Sequence, residues 1–132
     1  EFIVDREKLI QAILNIARNG AQAMKLSNQD NMQLSFVTRA ERQIVFRKKK
    51  HATAIRIDII DNGPGIKNEL IDKIFFPLVT GKENGSGLGL SLSQNLISLH
   101  QGMIDCHSVP GKTVFSIILP IENNLMPTKE KK

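Results

Sequence analysis

Side chains able to hold a phosphorylated ligand fall in three places along the chain. Gly85-Ser86-Gly87-Leu88-Gly89-Leu90-Ser91 runs straight into an amphipathic stretch over 92–100. Glycines at that density permit φ > 0 and close backbone approach, which suits a loop wrapped around phosphates. The helix expected after Gly87 offers an anion its unpaired N–H groups and the positive end of its dipole. Upstream, Asp61-Asn62-Gly63-Pro64-Gly65 puts a carboxylate at the head of a second glycine cluster. Gln11, Asn15 and Asn19 recur at helical spacing, so their amides share one face. Two glycine clusters, a carboxylate and an amide face point to a nucleotide site.

Each group has a functional and a structural reading. An amide oxygen can ligate Mg²⁺, a hard cation that bridges phosphates while keeping several waters. The same amides also suit a polar seam bonded to a neighbouring loop. Asp61 can accept a hydrogen bond from an exocyclic amine such as that of adenine, or simply end a strand among turn formers. The commoner glycine motifs fail on spacing: Gly85, Gly87 and Gly89 give G-x-G-x-G, not a dinucleotide fingerprint. Gly81-Lys82 lacks both the preceding glycine and the following Ser or Thr of a P-loop.

The elements that must position these groups follow from periodicity. Asp5 can N-cap a helix to about Lys25, with Leu9, Ile13, Ile16, Ala17 and Met24 at helical spacing. Residues 32–39 alternate as a strand, with Met32, Leu34 and Phe36 on one face. A basic hairpin or loop occupies about 40–52, or extends the strands on either side. Ile55, Ile57 and Ile59 alternate in a strand over 54–60. A short helix is expected over 68–74, an aperiodic loop over 75–86, and a helix from Gly87 to about His100, stopped by Gly102. Strands over 103–107 and 112–119 flank the turn Val109-Pro110-Gly111. The order predicts a two-layer α/β (α+β) sandwich, a mixed sheet covered on one face by helices.

The 132 residues fit one domain with a real core, and the polar, lysine-rich stretch 122–132 reads as a disordered tail. No apolar run is long enough to span a membrane, and no signal-peptide pattern opens the chain. With no Trp or Tyr and only six Phe, stacking platforms for single-stranded nucleic acid are scarce. The net charge of +5 concentrates in Arg39, Arg42, Arg47, Lys48, Lys49 and Lys50 and in the tail lysines. That distribution suits a solvated hairpin, or steering of an acidic partner, better than a nucleic-acid surface. The single cysteine, Cys106, fits a reducing, cytoplasmic setting and a buried small hydrophobe beside Ile104.

In series, these blocks resemble the catalytic domains of sensor histidine kinases. Asn15-Ile16-Ala17-Arg18-Asn19 is similar to their N box and Asp61-Asn62-Gly63-Pro64-Gly65-Ile66 to the G1 box. Ile74-Phe75-Phe76-Pro77 resembles the F box, and Gly85-Ser86-Gly87-Leu88-Gly89-Leu90 the G2 box. Gly111-Lys112-Thr113-Val114-Phe115 opens a stretch like the closing G3-type strand. The resemblance covers about residues 3–121. The basic insertion and the phrase Val79-Thr80-Gly81-Lys82-Glu83-Asn84-Gly85 resemble the nitrogen-regulation subgroup.

The resemblance implies the Bergerat (GHKL) fold, with ATP and Mg²⁺ as ligands. Asn19 would coordinate Mg²⁺ and Asn15 support the phosphates or the metal, the two serving as the catalytic pair. Asp61 would bond the adenine amine, with Gly63, Gly65 and Thr113 shaping the base pocket. Gly85, Gly87, Leu88 and Gly89 would turn backbone N–H groups to the phosphates. Lys82 is a phosphate contact or an exposed loop lysine, and Phe75 and Phe76 anchor a lid. The implied reaction moves the γ-phosphoryl of ATP to a histidine on a separate dimerisation domain. An NtrC-type response regulator and a PII signalling protein are the implied partners.

Two departures from the family stand out. Gly20 replaces the alanine usual after the second N-box Asn, at about 1 kcal/mol of helix propensity. Asn15 stands where related ATPases carry a glutamate that activates water, and an amide cannot be that base. His51, His100 and His107 lack the following acidic residue of the family's acceptors and read as structural or exposed. An ATP-driven conformational ATPase and a nucleotide-sensing docking module without transfer activity remain as rivals.

Overall fold

In a computed structural model that describes residues 5–46, 48–75 and 89–121, the elements run α1 (Arg6–Leu26), β1 (Leu34–Phe46), β2 (Lys49–Asp61), α2 (Asn68–Ile71), α3 (Gly89–Leu99), β3 (Met103–Val109) and β4 (Lys112–Pro120). The Asp5 side chain caps α1 by accepting from the Lys8 N–H, as its position before the apolar repeat predicts. At its other end α3 closes through Gln101 in the left-handed region (φ 64), and the Gly102 N–H donates to the Ile97 carbonyl.

The strands form one sheet in the order β1-β2-β4-β3. The sequence predicts a mixed sheet, whereas all three pairings among the described residues are antiparallel. Alternation sorts the two faces. Ile57, Ile59, Phe115, Ile117, Leu119 and Ile104 turn to one side and build the main core with Ala12 and Ile16 of α1 and Leu96 and Ile97 of α3. This is the helix-covered face of a two-layer sandwich.

Residues 40–46 and 49–52 are strand, the second of the two possibilities the sequence left open. Its register is continuous with the rest of the hairpin, but Gln43 adopts φ 53 and interrupts the pleat. The hairpin end then lays Ile44 and Phe46 against Ala54, Ile118 and Met103 on the face away from the helices. Phe46 stacks on the buried His51 ring at 4.2 Å, which gives that histidine a packing role. On the same open face the buried Asp58 accepts from Ser116 Oγ at 2.6 Å and from Arg56 Nε at 3.3 Å. Arg39 and Glu41 complete this ion-paired cluster.

Candidate nucleotide-binding site

The site is built where the C-terminal end of β2 passes beneath α1. Alternation turns Asp61 to the helix-covered side, three residues beyond Asp58 and on the opposite face. Its carboxylate is buried and accepts from the Gly63 N–H at 2.8 Å. A Cβ on Gly20 would stand 2.8 Å from Asp61 Oδ2, so the glycine in α1 leaves the space that the carboxylate fills. Gly20 therefore has a packing role that its helix propensity conceals. A Cβ on Gly63 would likewise meet Asp61 Oδ1 at 2.9 Å and Met24 Cγ at 3.1 Å.

Thr113, buried in β4, lies opposite Asp61 in the sheet register. The loop after Asp61 is fastened from two directions. Asn62 holds the 29–33 turn, its Oδ1 accepting from the Gln33 N–H and Gln29 Nε2 while its Nδ2 donates to the Asn31 carbonyl. The β3–β4 hairpin grips the other side: the Gly111 N–H donates to the Gly63 carbonyl at 2.9 Å, and the Ile66 N–H donates to Ser108 Oγ at 2.8 Å. Gly65 has φ 91 and passes the Val109 carbonyl so closely that a Cβ would lie 3.0 Å from its oxygen. Only glycine suits both conditions.

Asn15 and Asn19 sit half-buried on α1, while Gln11 on the same row is exposed. The Asn15 Nδ2 is buried and has no hydrogen-bond partner among the described residues. An unpaired buried amide donor costs about 1–3 kcal/mol, which a ligand acceptor can recover. The helices run antiparallel, tied where the Asp5 N–H donates to His100 Nε2 and, further in, where Ser93 Oγ donates to the Ala12 carbonyl, each at 2.9 Å. Following α1 forward and α3 backward from that inner bond brings Gly89, the first residue of α3, alongside the turn that carries Asn15 and Asn19.

Lys82, Gly85, Gly87, Leu88 and Phe76 lie outside the described residues. Phe75 meets Phe115 edge-on at 6.2 Å and packs against the core. His100 is occupied at both ring nitrogens, with Nδ1 2.9 Å from the Leu96 carbonyl, and His107 is exposed beside Asp105. Cys106 packs at the core edge with its thiol pKa pushed up from 9.0 to about 12, by burial first and then by the charges of Asp105 and Asp61. It is a hydrophobe in practice, as its place in the strand predicts. Sequence reasoning missed Ser108, Asn62 and Met24 as parts of the site. Their signals were a turn-flanking serine, a turn asparagine and a helical methionine, each with a commoner structural explanation.

Among the described residues no three His, Cys, Asp or Glu side chains gather as a metal cage. A cation here would rest on amide oxygens and ligand phosphates, the sparse protein coordination that Mg²⁺ accepts and most transition metals do not. The unpaired Asn15 donor adds a group suited to phosphate oxygen. The residues present fit a nucleoside triphosphate with Mg²⁺. No described helix is long and apolar enough to cross a membrane.

Residues 4–123 match the family described as histidine kinase-, DNA gyrase B-, and HSP90-like ATPase. The sensory histidine kinase/phosphatase NtrB of Vibrio alginolyticus is 48% identical over 121 residues, 92% of this chain and 34% of that protein. NtrB of Escherichia coli O157:H7 is 42% identical over 121 residues, with the same coverage. The chain thus spans about a third of the curated relatives it matches. Among solved structures, the nucleotide-free catalytic domain of histidine kinase ThkA superposes with a TM-score of 0.72 at 26% identity, over 91% of this chain and 70% of that one. Mycobacterial sensor histidine kinase MprB, at 22% identity, 92% of this chain and 77% of its own, shares the fold with a TM-score of 0.69.

Proposed function

Because the chain belongs to the histidine kinase-, DNA gyrase B- and HSP90-like ATPase family, we propose that it is the ATP-binding catalytic domain of an NtrB-type sensor histidine kinase. The observation that carries this reading is the buried Asp61 carboxylate, held by the Gly63 N–H and seated in the gap at Gly20 of α1. A carboxylate so placed beside the Asn15–Asn19 row can take the amine of an adenine whose phosphates run along α1. Gly63 and Gly65 shape the base pocket, and Thr113 stands beside Asp61 as a second polar wall.

Toward the phosphates, the buried Asn15 Nδ2, without a hydrogen-bond partner among the described residues, supports a role for Asn15 at phosphate oxygen, and Asn19 would hold Mg²⁺. By the resemblance, backbone N–H groups of Gly85, Gly87, Leu88 and Gly89 would be further phosphate donors and Lys82 a further phosphate contact, although 82–88 lie outside the described residues. Mg²⁺, when bound, supplies charge neutralisation between the phosphates. The chain's own work is orientation: it fixes the base at Asp61 and presents the γ-phosphoryl outward. Asn15 cannot take a proton from water, so hydrolysis is disfavoured and the phosphoryl is kept for a histidine elsewhere. We place that histidine on a separate dimerisation domain: none of His51, His100 and His107 is followed by an acidic residue, His51 is stacked on Phe46, and His100 is bonded at both nitrogens. A response regulator of NtrC type would receive the phosphoryl next, and a PII protein would modulate the kinase.

Supplied with labelled ATP, the chain should bind it and stay unlabelled, and adding a histidine-bearing dimerisation domain of the same subgroup should place label on that domain. Asp61→Asn weakens ATP binding by roughly 10- to 150-fold in calorimetric titration. Rapid phosphate release by the chain alone would instead favour a conformational ATPase. Binding without transfer to the correct acceptor would favour a nucleotide-sensing docking module.

A further inference from the structure

Two elements that are distant in sequence share one hydroxyl. Ser108, near the end of β3, accepts from the Ile66 N–H at 2.8 Å, and its Oγ lies 2.7 Å from Thr113 Oγ1 on β4. A serine oxygen has two lone pairs and one proton, so it can accept from Ile66 and still serve Thr113. Ser108 thereby ties the backbone after Gly65 to the residue that faces Asp61 across the sheet. With the Gly111 N–H on the Gly63 carbonyl, it makes the β3–β4 hairpin the rear support of the Asp61–Ile66 loop.

We propose that Ser108 is a positioning residue for base selection: it holds the Gly63–Ile66 backbone and fixes the Thr113 hydroxyl, so that the pocket prefers a purine whose six-position carries an amine donating to Asp61, as adenine's does, over one with a carbonyl there, as in guanine. The proposal rests on the reading of Asp61 as the adenine contact. Removing the hydroxyl leaves the Ile66 N–H unpaired and lets Thr113 turn, which loosens discrimination between bases without touching the Asn15–Asn19 row. A serine that merely stabilised the hairpin would lower the melting temperature and leave the ratio of affinities for different bases unchanged.

The test titrates ATP and GTP into wild type, Ser108→Ala, Ser108→Cys and Ser108→Thr, with a thermal melt of each. The expected result is ATP preferred by wild type, about 5- to 10-fold weaker ATP binding in Ser108→Ala with the ATP-to-GTP ratio falling in step, and recovery of both in Ser108→Thr, which keeps the hydroxyl. Ser108→Cys preserves size with a weaker hydrogen-bonding group, and it should follow Ser108→Ala even where the alanine variant fails to fold. An unchanged ratio in folded Ser108→Ala or Ser108→Cys overturns the proposal, as does a folded Ser108→Thr that fails to recover it. Asp61→Asn serves as the control. If wild type shows no ATP preference, or Asp61→Asn binds like wild type, the adenine reading itself is overturned and this inference with it.

Discussion

Asn15 and Asp61 show how a side chain's partner, rather than its type, reveals its use. Two aspartates on one strand are buried, but Asp58 is held by two arginines and a serine on the open face. Asp61, on the other face, takes a backbone N–H and sits against the gap at Gly20. The Asn15 donor has no partner among the described residues. Asn15→Ala should therefore leave folding stability unchanged or raise it by about 1 kcal/mol, while ATP affinity falls; urea unfolding and calorimetry on one preparation check both. Cys106 gives a pH-dependent prediction. Its raised pKa means that the folded chain keeps a proton the unfolded chain releases, so stability is intact below pH 9.0 and declines as pH rises toward about 12. The slope across that alkaline window should flatten in Cys106→Ala, as read from urea midpoints at several pH values. At neutral pH the thiol should react slowly with alkylating reagents.

Among the elements, α1 and α3 could be read from the chain because each buries one stripe, and β2 and β4 because Ile55, Ile57 and Ile59 alternate and 117–119 form an apolar run, although both strands bury residues on each face. The long β1–β2 hairpin could not be read with the same certainty. Most of β1 is exposed on both faces, so the alternation at Met32, Leu34 and Phe36 does not carry on into 40–46. Strand pairing, continuous from Leu34 with Asp61 to Phe46 with Lys49, decided that segment instead. The Asp61–Ile66 loop is the element on which the site depends most. Gly65→Ala should destabilise the fold by roughly 1–3 kcal/mol, since it places a Cβ at φ 91 and against the Val109 carbonyl. Thermal melting measures that loss, and ATP titration should show weaker binding by the folded fraction.

For the whole molecule, binding and stability are linked through the same pocket. Mg-ATP at 100 times its dissociation constant should raise the unfolding free energy by about 2.7 kcal/mol, and the same concentration should stabilise Asp61→Asn far less. Thermal shift across an ATP series reads this without any acceptor domain. The sequence alone determined the order of elements, the spacing of the amides on one face of α1, and the serial glycine blocks that marked a nucleotide site. Local chemistry suffices for these, because helical and strand periods and glycine's tolerance are short-range properties. Only the tertiary structure decided that Gly20 makes room for Asp61, that Asn15 is left unpaired, and that Ser108 reaches the loop after Gly65. Each of these depends on segments far apart in the chain being brought within bonding distance by sheet register and helix packing, and no local pattern encodes that distance.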